Sequence, residues 1–355
     1  MKGLILAGGT GSRLRPITHT KQKQMIPVAN KPVMEYAVDD LREAGIGEIG
    51  IVLGEQGNEE IKDYFGDGST FGVEFTYIYQ GPPLGLAHAV GCAEDFVGDD
   101  AFVVYLGDDM ISDGVVEMVN KFDRGEYGGV FAVQRVENPS RYGIIETDER
   151  GDVTGVQEKP SDPPTNLAGV GIFLLTPDIF DEIKQIKPSW RGELELSDAI
   201  DRLLTDGRRL QTHRIDGWWR DVGTPEDLIA ANYNILDEFS PNRDGTIESG
   251  ASVVGRVELD DGSVVEEGAE IQGPVAIGSD TVVKSGSHVG PYTSLSDEVT
   301  IDGSRIESSV VLSGTKIGGN LHLEDSIIGE RSNLQSEHDM RRTEVLVGAD
   351  SEVRL

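Results

Sequence analysis

A single cysteine, Cys92, stands in 355 residues. That excludes an intrachain disulfide and any zinc site built on cysteine pairs. No apolar run approaches the roughly 20 residues that a membrane span needs, so no membrane partner is expected. Positive charge is scarce: 31 Lys and Arg face 63 Asp and Glu, for a formal net charge of −32. Such a surface repels the phosphates of nucleic acid and argues against that partner class. Lysine is scarcer still, at 11 of the 31 basic residues. The acidic residues are spread along the chain instead of gathering in a tail, which suits a salt-filled cytoplasm where ions screen self-repulsion. A halophilic source and a cytoplasmic location are therefore expected. The opening Met1-Lys2-Gly3-Leu4-Ile5-Leu6-Ala7-Gly8-Gly9 is too short for a secretion signal and runs into glycines, so it reads as a strand entering a turn.

What is present follows two different patterns. Residues 1–238 alternate apolar strand-like stretches (Gly3–Ala7, Ile49–Leu53, Glu74–Tyr79, Ala101–Leu106, Gly129–Val133, Val170–Leu175) with helix-like ones (Val33–Ala44, Asn58–Tyr64, Leu86–Phe96, Val115–Phe122, Leu194–Leu204). This rhythm predicts an α/β sandwich with a mostly parallel sheet, whose ligands bind at the carboxyl ends of the strands. From Ile247 an aliphatic residue recurs every six positions: Val253, Leu259, Val265, Ile271, Ile277, Val283, Val289, Leu295 and Ile301. The series slips near Ile306 and resumes at Val311, Ile317 and Leu323. A hexapeptide period fits neither a helix nor a plain strand and predicts a parallel β-helix over 247–355. Residues 239–246, with Pro241, Asn242, Arg243 and Asp244, read as the linker.

The chemistry begins at Leu6-Ala7-Gly8-Gly9-Thr10-Gly11-Ser12-Arg13-Leu14-Arg15-Pro16. Glycines let backbone N–H groups approach an oligophosphate, and Arg13 adds a positive charge. The turn lacks the Lys-Ser/Thr pair of a P-loop, and taken alone it is equally a tight βα turn without a ligand. The next segment, Lys23-Gln24-Met25-Ile26-Pro27-Val28-Ala29-Asn30-Lys31-Pro32, adds a second signature. Others follow in order: Gln80-Gly81-x-x-Leu84-Gly85, Tyr105-Leu106-Gly107-Asp108, Glu158-Lys159-Pro160, Pro188-Ser189-Trp190-Arg191-Gly192-Glu193-Leu194-Glu195, and Gly217-Trp218-Trp219-Arg220-Asp221-x-Gly223. Together these motifs resemble the sugar-1-phosphate nucleotidyltransferases, and within them the long form of glucose-1-phosphate thymidylyltransferase.

The resemblance implies a Rossmann-like nucleotidyltransferase domain followed by a left-handed β-helix. It implies that a sugar phosphate oxygen attacks the α-phosphorus of dTTP, giving dTDP-glucose and diphosphate, with glucose 1-phosphate as the acceptor. Two polyanions meet, so cations and a metal matter more than a base. On this resemblance Arg13 grips the triphosphate, Lys23 neutralises charge at the α-phosphate, and Lys159 holds the sugar's phosphate. Asp108 and Asp221 are the implied Mg²⁺ ligands, although Asp109 adjoins the first and is open to either role. Leu6, Gly8, Gly9, Gly11, Gln24, Gln80 and Gly85 line the implied nucleotide site with Asp108. Gln80 reads the base edge, and a small Gly85 lets the backbone approach it. Tyr142, Gly143, Glu158, Asn166, Gly169 and Trp219 line the implied sugar site, where Glu158 accepts hydrogen bonds from hydroxyls and Trp219 gives an apolar face. For Tyr142 and Trp219 plain packing is the alternative, and for Asp108 it is capping of the following turn.

Two departures matter. Gln22 stands where the family more often has proline before the active-site lysine, which implies a looser loop. A β-helix replaces the helices that end the short thymidylyltransferases, so feedback control does not carry over. The β-helix itself is expected to pack on the catalytic domain and to join subunits in a homo-oligomer. His288 and His322 lie within its coils and keep an acyltransferase fusion open. UTP in place of dTTP, and a non-catalytic subunit on the same fold, are the remaining alternatives.

Overall fold

The computed structural model describes residues 1–55, 58–336, 338 and 341–355. They form two compact units. One comprises Met1–Thr10 and Val33–Asp221, the other Gly11–Pro32 and Val222–Leu355. This division departs from the expected 1–238 boundary. The loop of residues 11–32 and the last helix of that range belong with the β-helix, because their hydrogen bonds run to its coils.

The first unit is a sheet flanked by helices. Its strands are β1 (Lys2–Ala7), β2 (Glu48–Leu53), β3 (Glu74–Tyr79), β4 (Phe102–Leu106), β5 (Asp109–Ile111), β6 (Gly129–Arg135), β7 (Gly143–Thr147), β8 (Val153–Glu158), β9 (Leu167–Leu175), β10 (Leu210–Arg214) and β11 (Trp219–Asp221). The large sheet runs β8-β7-β9-β4-β1-β2-β3, with β6 on β9 and β10 on β6. Parallel pairing joins β4, β1, β2 and β3. Beyond β4 the neighbours of β9 are antiparallel to it, and β7 and β8 form an antiparallel pair. The sheet is thus mixed where a mostly parallel one was expected, because the stretch from Gly143 to Glu158 returns directly as a strand pair without a helical crossover.

Gly8, Gly54, Gln80 and Gly107 each directly follow one of the four parallel strands. These are the carboxyl ends where an open α/β sheet binds ligands. The apolar residues between helices and sheet are fully buried, among them Leu4, Val104, Phe131, Ala199 and Leu203. Phe102 stacks on Phe180 at 5.4 Å between centroids. The helices are α1 (Val33–Glu43), α2 (Asn58–Phe65), α3 (Leu86–Gly91), α4 (Glu94–Val97), α5 (Val116–Lys121), α6 (Asp178–Ile183) and α7 (Leu196–Thr205). The sequence predicts one helix over 86–96. Instead the Ala93 N–H bonds to the Val90 carbonyl, a tighter turn that separates α3 from α4.

In the second unit, α8 (Pro225–Glu238) opens with a reciprocal capping box between Thr224 and Asp227 and a proline in its first turn. The hexapeptide positions then build three parallel sheets stacked coil on coil. Ile247, Val265, Val283, Ile301, Ile317, Leu334 and Val353 succeed one another in one of them. The slip near Ile306 is a shortened coil: Ile301 still stacks on Ile317 and Leu295 on Val311, so the inward face is kept. Corner hydroxyls are buried yet bonded, as Thr281 Oγ1 to the Ser296 carbonyl at 2.6 Å and Ser287 Oγ to the Ile301 carbonyl at 3.1 Å. The expected linker is partly a coil already, since the Asp244 and Gly245 N–H groups both donate to the Leu259 carbonyl.

Candidate active site

The glycine turn begins where β1 ends. A side chain at Gly8 would put its Cβ 2.1 Å from Gln80 Nε2, so the Gln80 amide abuts the turn. Gly54 in turn leaves no room beside the Gly8 carbonyl, at 2.9 Å. Leu6 and Gln80 are buried, while Gly9 is exposed. Gly85 has a structural reason of its own. At φ 121° its Cβ would meet the backbone of Leu194 at 2.5 Å, and that backbone bonds to Leu84 and Ala87 on either side.

Among the residues expected to bind the sugar, the β7–β8 pair sets Gly143 opposite Glu158. A Cβ at Gly143 would stand 3.1 Å from Glu158 Oε2, and one at Gly169 3.9 Å from the Gly143 carbonyl. The Lys159 N–H donates to the Tyr142 carbonyl at 3.1 Å, holding Lys159 at φ 44°, a conformation rare for a side chain of this kind. Lys159 Nζ lies 3.6 Å and Arg191 Nη1 3.5 Å from Glu158 Oε1. Burial pushes the Glu158 carboxyl up against the pull of Lys159; Glu195 adds to the rise and Arg191 opposes it. Arg191 also pairs with Glu195, which accepts from Ser189 Oγ. Its motif was visible in the sequence, but only the fold shows that it faces Glu158. The Tyr142 ring meets Trp219 edge-on at 5.1 Å. Asn166 is apart from this cluster by its bonds: its exposed side chain accepts from Arg135 Nη1 at 2.5 Å, which commits it to the edge of β6.

Asp108 lies in the turn between β4 and β5, next to Gly107, whose N–H donates to the Leu6 carbonyl. Asp221 ends β11 and registers with Asp109, the neighbour of Asp108. The short β5–β11 ladder thus carries both expected metal ligands at one end. Asp109 has a different task. It is 2% exposed and accepts from Trp219 Nε1 at 2.8 Å. Its other oxygen fills the space that a side chain at Gly171 would need. Trp219 is therefore a hydrogen-bonded strut as well as an apolar face. Two carboxylates suit Mg²⁺, a hard ion that takes its other ligands from phosphate and water.

The second unit carries Gly11, Arg13, Lys23 and Gln24. Gly11 adopts φ 60°, and a Cβ there would press on Lys23 and Thr18 at 2.9 Å. Thr18 Oγ1 closes the loop on the Gly11 carbonyl at 2.7 Å. Arg13 is exposed in the turn Ser12–Leu14. Lys23 and Gln24 are buried in the turn Lys23–Met25, and among the described residues Gln24 Oε1 has no hydrogen-bond partner. Gln22 holds φ −65°, the value a proline ring would impose, so its backbone keeps the shape that the missing proline would give. His288 and His322 stand in one β-helix sheet beside Glu270, Glu307 and Glu324. Arg305 pairs with Glu307 and Arg342 with Glu324, so the stacked acidic pair Glu307 and Glu324 is flanked by arginines.

A model of the nucleotidyl transferase family matches residues 2–238, and one of the GMPPB C-terminal domain matches residues 271–354. The chain is 55% identical to the low-salt glycan biosynthesis nucleotidyltransferase Agl11 of Haloferax volcanii, over 100% of both chains. It is 41% identical to a glucose-1-phosphate thymidylyltransferase of Streptomyces griseus, over 99% of this chain and 98% of the other. A solved structure of a glucose-1-phosphate thymidylyltransferase from Bacillus anthracis, described as putative, superimposes with a TM-score of 0.63 at 39% identity, covering 68% of this chain and 98% of that one. A UDP-glucose pyrophosphorylase solved with UDP-glucose does so at 0.61 and 30% identity, covering 67% and 99%.

Proposed function

Because the chain belongs to the nucleotidyl transferase family, and is an enzyme of that class, we propose that it joins dTTP to glucose 1-phosphate, releasing diphosphate and dTDP-glucose for glycan synthesis. The observation that carries this reading is a continuous chain of contacts in the first unit. Asp221 faces Asp109 beside Asp108, Asp109 holds Trp219, Trp219 meets Tyr142, and Tyr142 holds the backbone of Lys159 next to Glu158. Carboxylates suited to a divalent ion and cationic and acidic groups suited to a sugar phosphate are thereby fixed by one set of bonds.

The sugar phosphate is ionised at neutral pH and needs no base. Lys159 offers its ammonium to that phosphate and leaves Glu158 to accept from sugar hydroxyls. Gln80, packed on Gly8, presents an amide that both donates and accepts toward a pyrimidine edge. The buried Gln24 Oε1, unpartnered among the described residues, suits a donor on the nucleotide. Arg13 and Lys23 stabilise charge on the triphosphate and on the departing diphosphate. Asp108 and Asp221 would hold Mg²⁺, which would supply charge neutralisation for the phosphates. UTP is the second reading, favoured by the likeness to a UDP-glucose complex, since the two bases differ by one methyl group.

A diphosphate-release assay with a matrix of nucleotides and sugar 1-phosphates, in molar KCl with Mg²⁺, tests the reading. The expected outcome is turnover highest with dTTP and glucose 1-phosphate. Turnover highest with another nucleotide or another sugar 1-phosphate would overturn it.

A further inference from the structure

The loop of residues 11–32 is bonded at several points to α8 and to coils of the β-helix, all within the second unit. Lys21 Nζ lies 2.7 Å from Glu330 Oε1, with both side chains largely buried. Glu330 also pairs with Arg331, and Arg331 with Asp350 of the final coil. At the far end of the loop, Ala29 and Asn30 take φ 46° and 64° in succession. This is the conformation of a tight turn between the paired segments Pro27–Val28 and Lys31–Pro32, and non-glycine residues adopt it only when their surroundings hold them there. The holding groups come from far along the chain. Asn30 Nδ2 donates to the Leu295 carbonyl at 2.9 Å. The Ala29 N–H donates to Asn232 Oδ1 at 2.8 Å, and Asn232 is itself 1% exposed and bonded to the Tyr292 carbonyl and Ser294 Oγ. Near the start of the loop, the Pro16 carbonyl sits 3.0 Å from where a Cβ of Gly348 would be.

We propose that Glu330, through Lys21, and Asn232, through Ala29, are positioning residues for Arg13 and Lys23, so that the β-helix sets the shape of the triphosphate-binding loop. This rests on the reading that Arg13 and Lys23 act on the nucleotide. The physical reason is the composition of the loop. The loop has only short turns and buries Leu14, Ile17, Met25, Ile26 and Val28. Apolar packing holds it down without fixing direction, so the polar bonds to its neighbour set its exact geometry, and misplacing a charged group by about 1 Å costs up to about 100-fold in rate. The ion pair is partly buried, so molar salt screens it less than it screens a surface pair.

The test compares Glu330→Ala, Lys21→Met and the conservative Lys21→Arg in the full-length protein. The readouts are kcat/KM for each substrate, the melting temperature, and amide hydrogen exchange of residues 11–32. The first two variants are expected to lower kcat/KM for the nucleotide about 10- to 100-fold. KM for glucose 1-phosphate should stay within about twofold and exchange in 11–32 should rise, while Lys21→Arg retains most of the activity. Unchanged nucleotide kinetics and unchanged exchange in the first two variants would overturn the proposal. If Glu330→Ala lowers the melting temperature, Lys21→Met decides alone. Arg13→Ala and Lys23→Ala, assayed alongside, keep the two claims apart. Full activity in them overturns the role of the loop and the catalytic part of the anchoring with it. Their loss of activity beside an unaffected Glu330→Ala overturns the anchoring alone.

Discussion

Trp219 donates its indole N–H to the buried carboxylate of Asp109 at 2.8 Å, so of two adjacent aspartates Asp109 is the strut, and the proposed metal role falls to Asp108. The pair makes a prediction that separates them. Asp109→Ala leaves a buried indole donor unmet and should lower stability by about 1–3 kcal/mol. Asp108→Asn should leave melting unchanged and lower turnover by about 100-fold or more, as the loss of one electrostatic group at a transition state does. Thermal melts beside initial rates check both, and near-normal activity in Asp108→Asn removes it from the metal site.

Two glycines should respond very differently to alanine. At Gly8 the added methyl meets only the end of the flexible Gln80 side chain, which can swing away. Gly8→Ala should therefore melt within about 1 kcal/mol of wild type, yet raise KM for the nucleotide because Gln80 is displaced. At Gly171 the backbone has φ 73° and the methyl meets Asp109 at 1.9 Å. Strain and overpacking together should make Gly171→Ala less stable by about 3 kcal/mol. Equal melting temperatures for the two variants would contradict this account.

Glu158 is a partly buried carboxylate beside Lys159 and Arg191. Burial raises its carboxyl above the ordinary glutamate value of 4.5, against Lys159 and Arg191. The folded value exceeds the unfolded one, so the ionised form opposes folding, and the wild type regains stability as pH falls through the folded value. Glu158→Gln should accordingly be more stable than wild type at neutral pH, with the gap closing in acid. Its KM for glucose 1-phosphate should rise. A neutral-pH melt below that of wild type would reject the assignment.

Lys159→Ala should raise KM for glucose 1-phosphate about 10- to 100-fold, the scale of a lost charge-assisted hydrogen bond, with KM for the nucleotide nearly unchanged. Equal effects on both substrates would instead point to a collapse of the turn that Lys159 shares with Tyr142.

Glu330 titrates in the opposite sense to Glu158. Burial alone would raise its carboxyl, but the hydrogen bond and charge of Lys21, joined by those of Arg331, hold it below 4.5. Its contribution to stability is thus complete above the unfolded value and is lost as pH falls through the folded one. The difference in stability between wild type and Glu330→Ala should be constant from pH 7 to about 5 and shrink below about pH 4.5. Denaturant melts at several pH values, at fixed salt, measure it.

Features that depend on local repetition could be read directly from the chain. The six-residue period placed the inward row of the β-helix, and apolar runs placed β1, β2, β3 and β4. The capping box before α8 was present in Thr224-Pro225-Glu226-Asp227 and went unread. The β7 and β8 strands carry a weak apolar pattern, since the buried Ile144 and Ile145 of β7 are adjacent and do not alternate, and β8 is mostly half-buried or exposed.

The amino-acid order by itself determined the family motifs, the glycine turn and the repeat, because each is a short-range demand: close backbone approach, or one inward side chain per corner. Only the tertiary structure decided which aspartate is buried, which arginine faces Glu158, and that the loop carrying Arg13 and Lys23 belongs with the β-helix. Those outcomes depend on buried donors and acceptors that find partners far along the chain, as Trp219 with Asp109 and Asn30 with Leu295. Such partners must satisfy one another once water is excluded, and no local pattern encodes which of many polar residues will be left facing which.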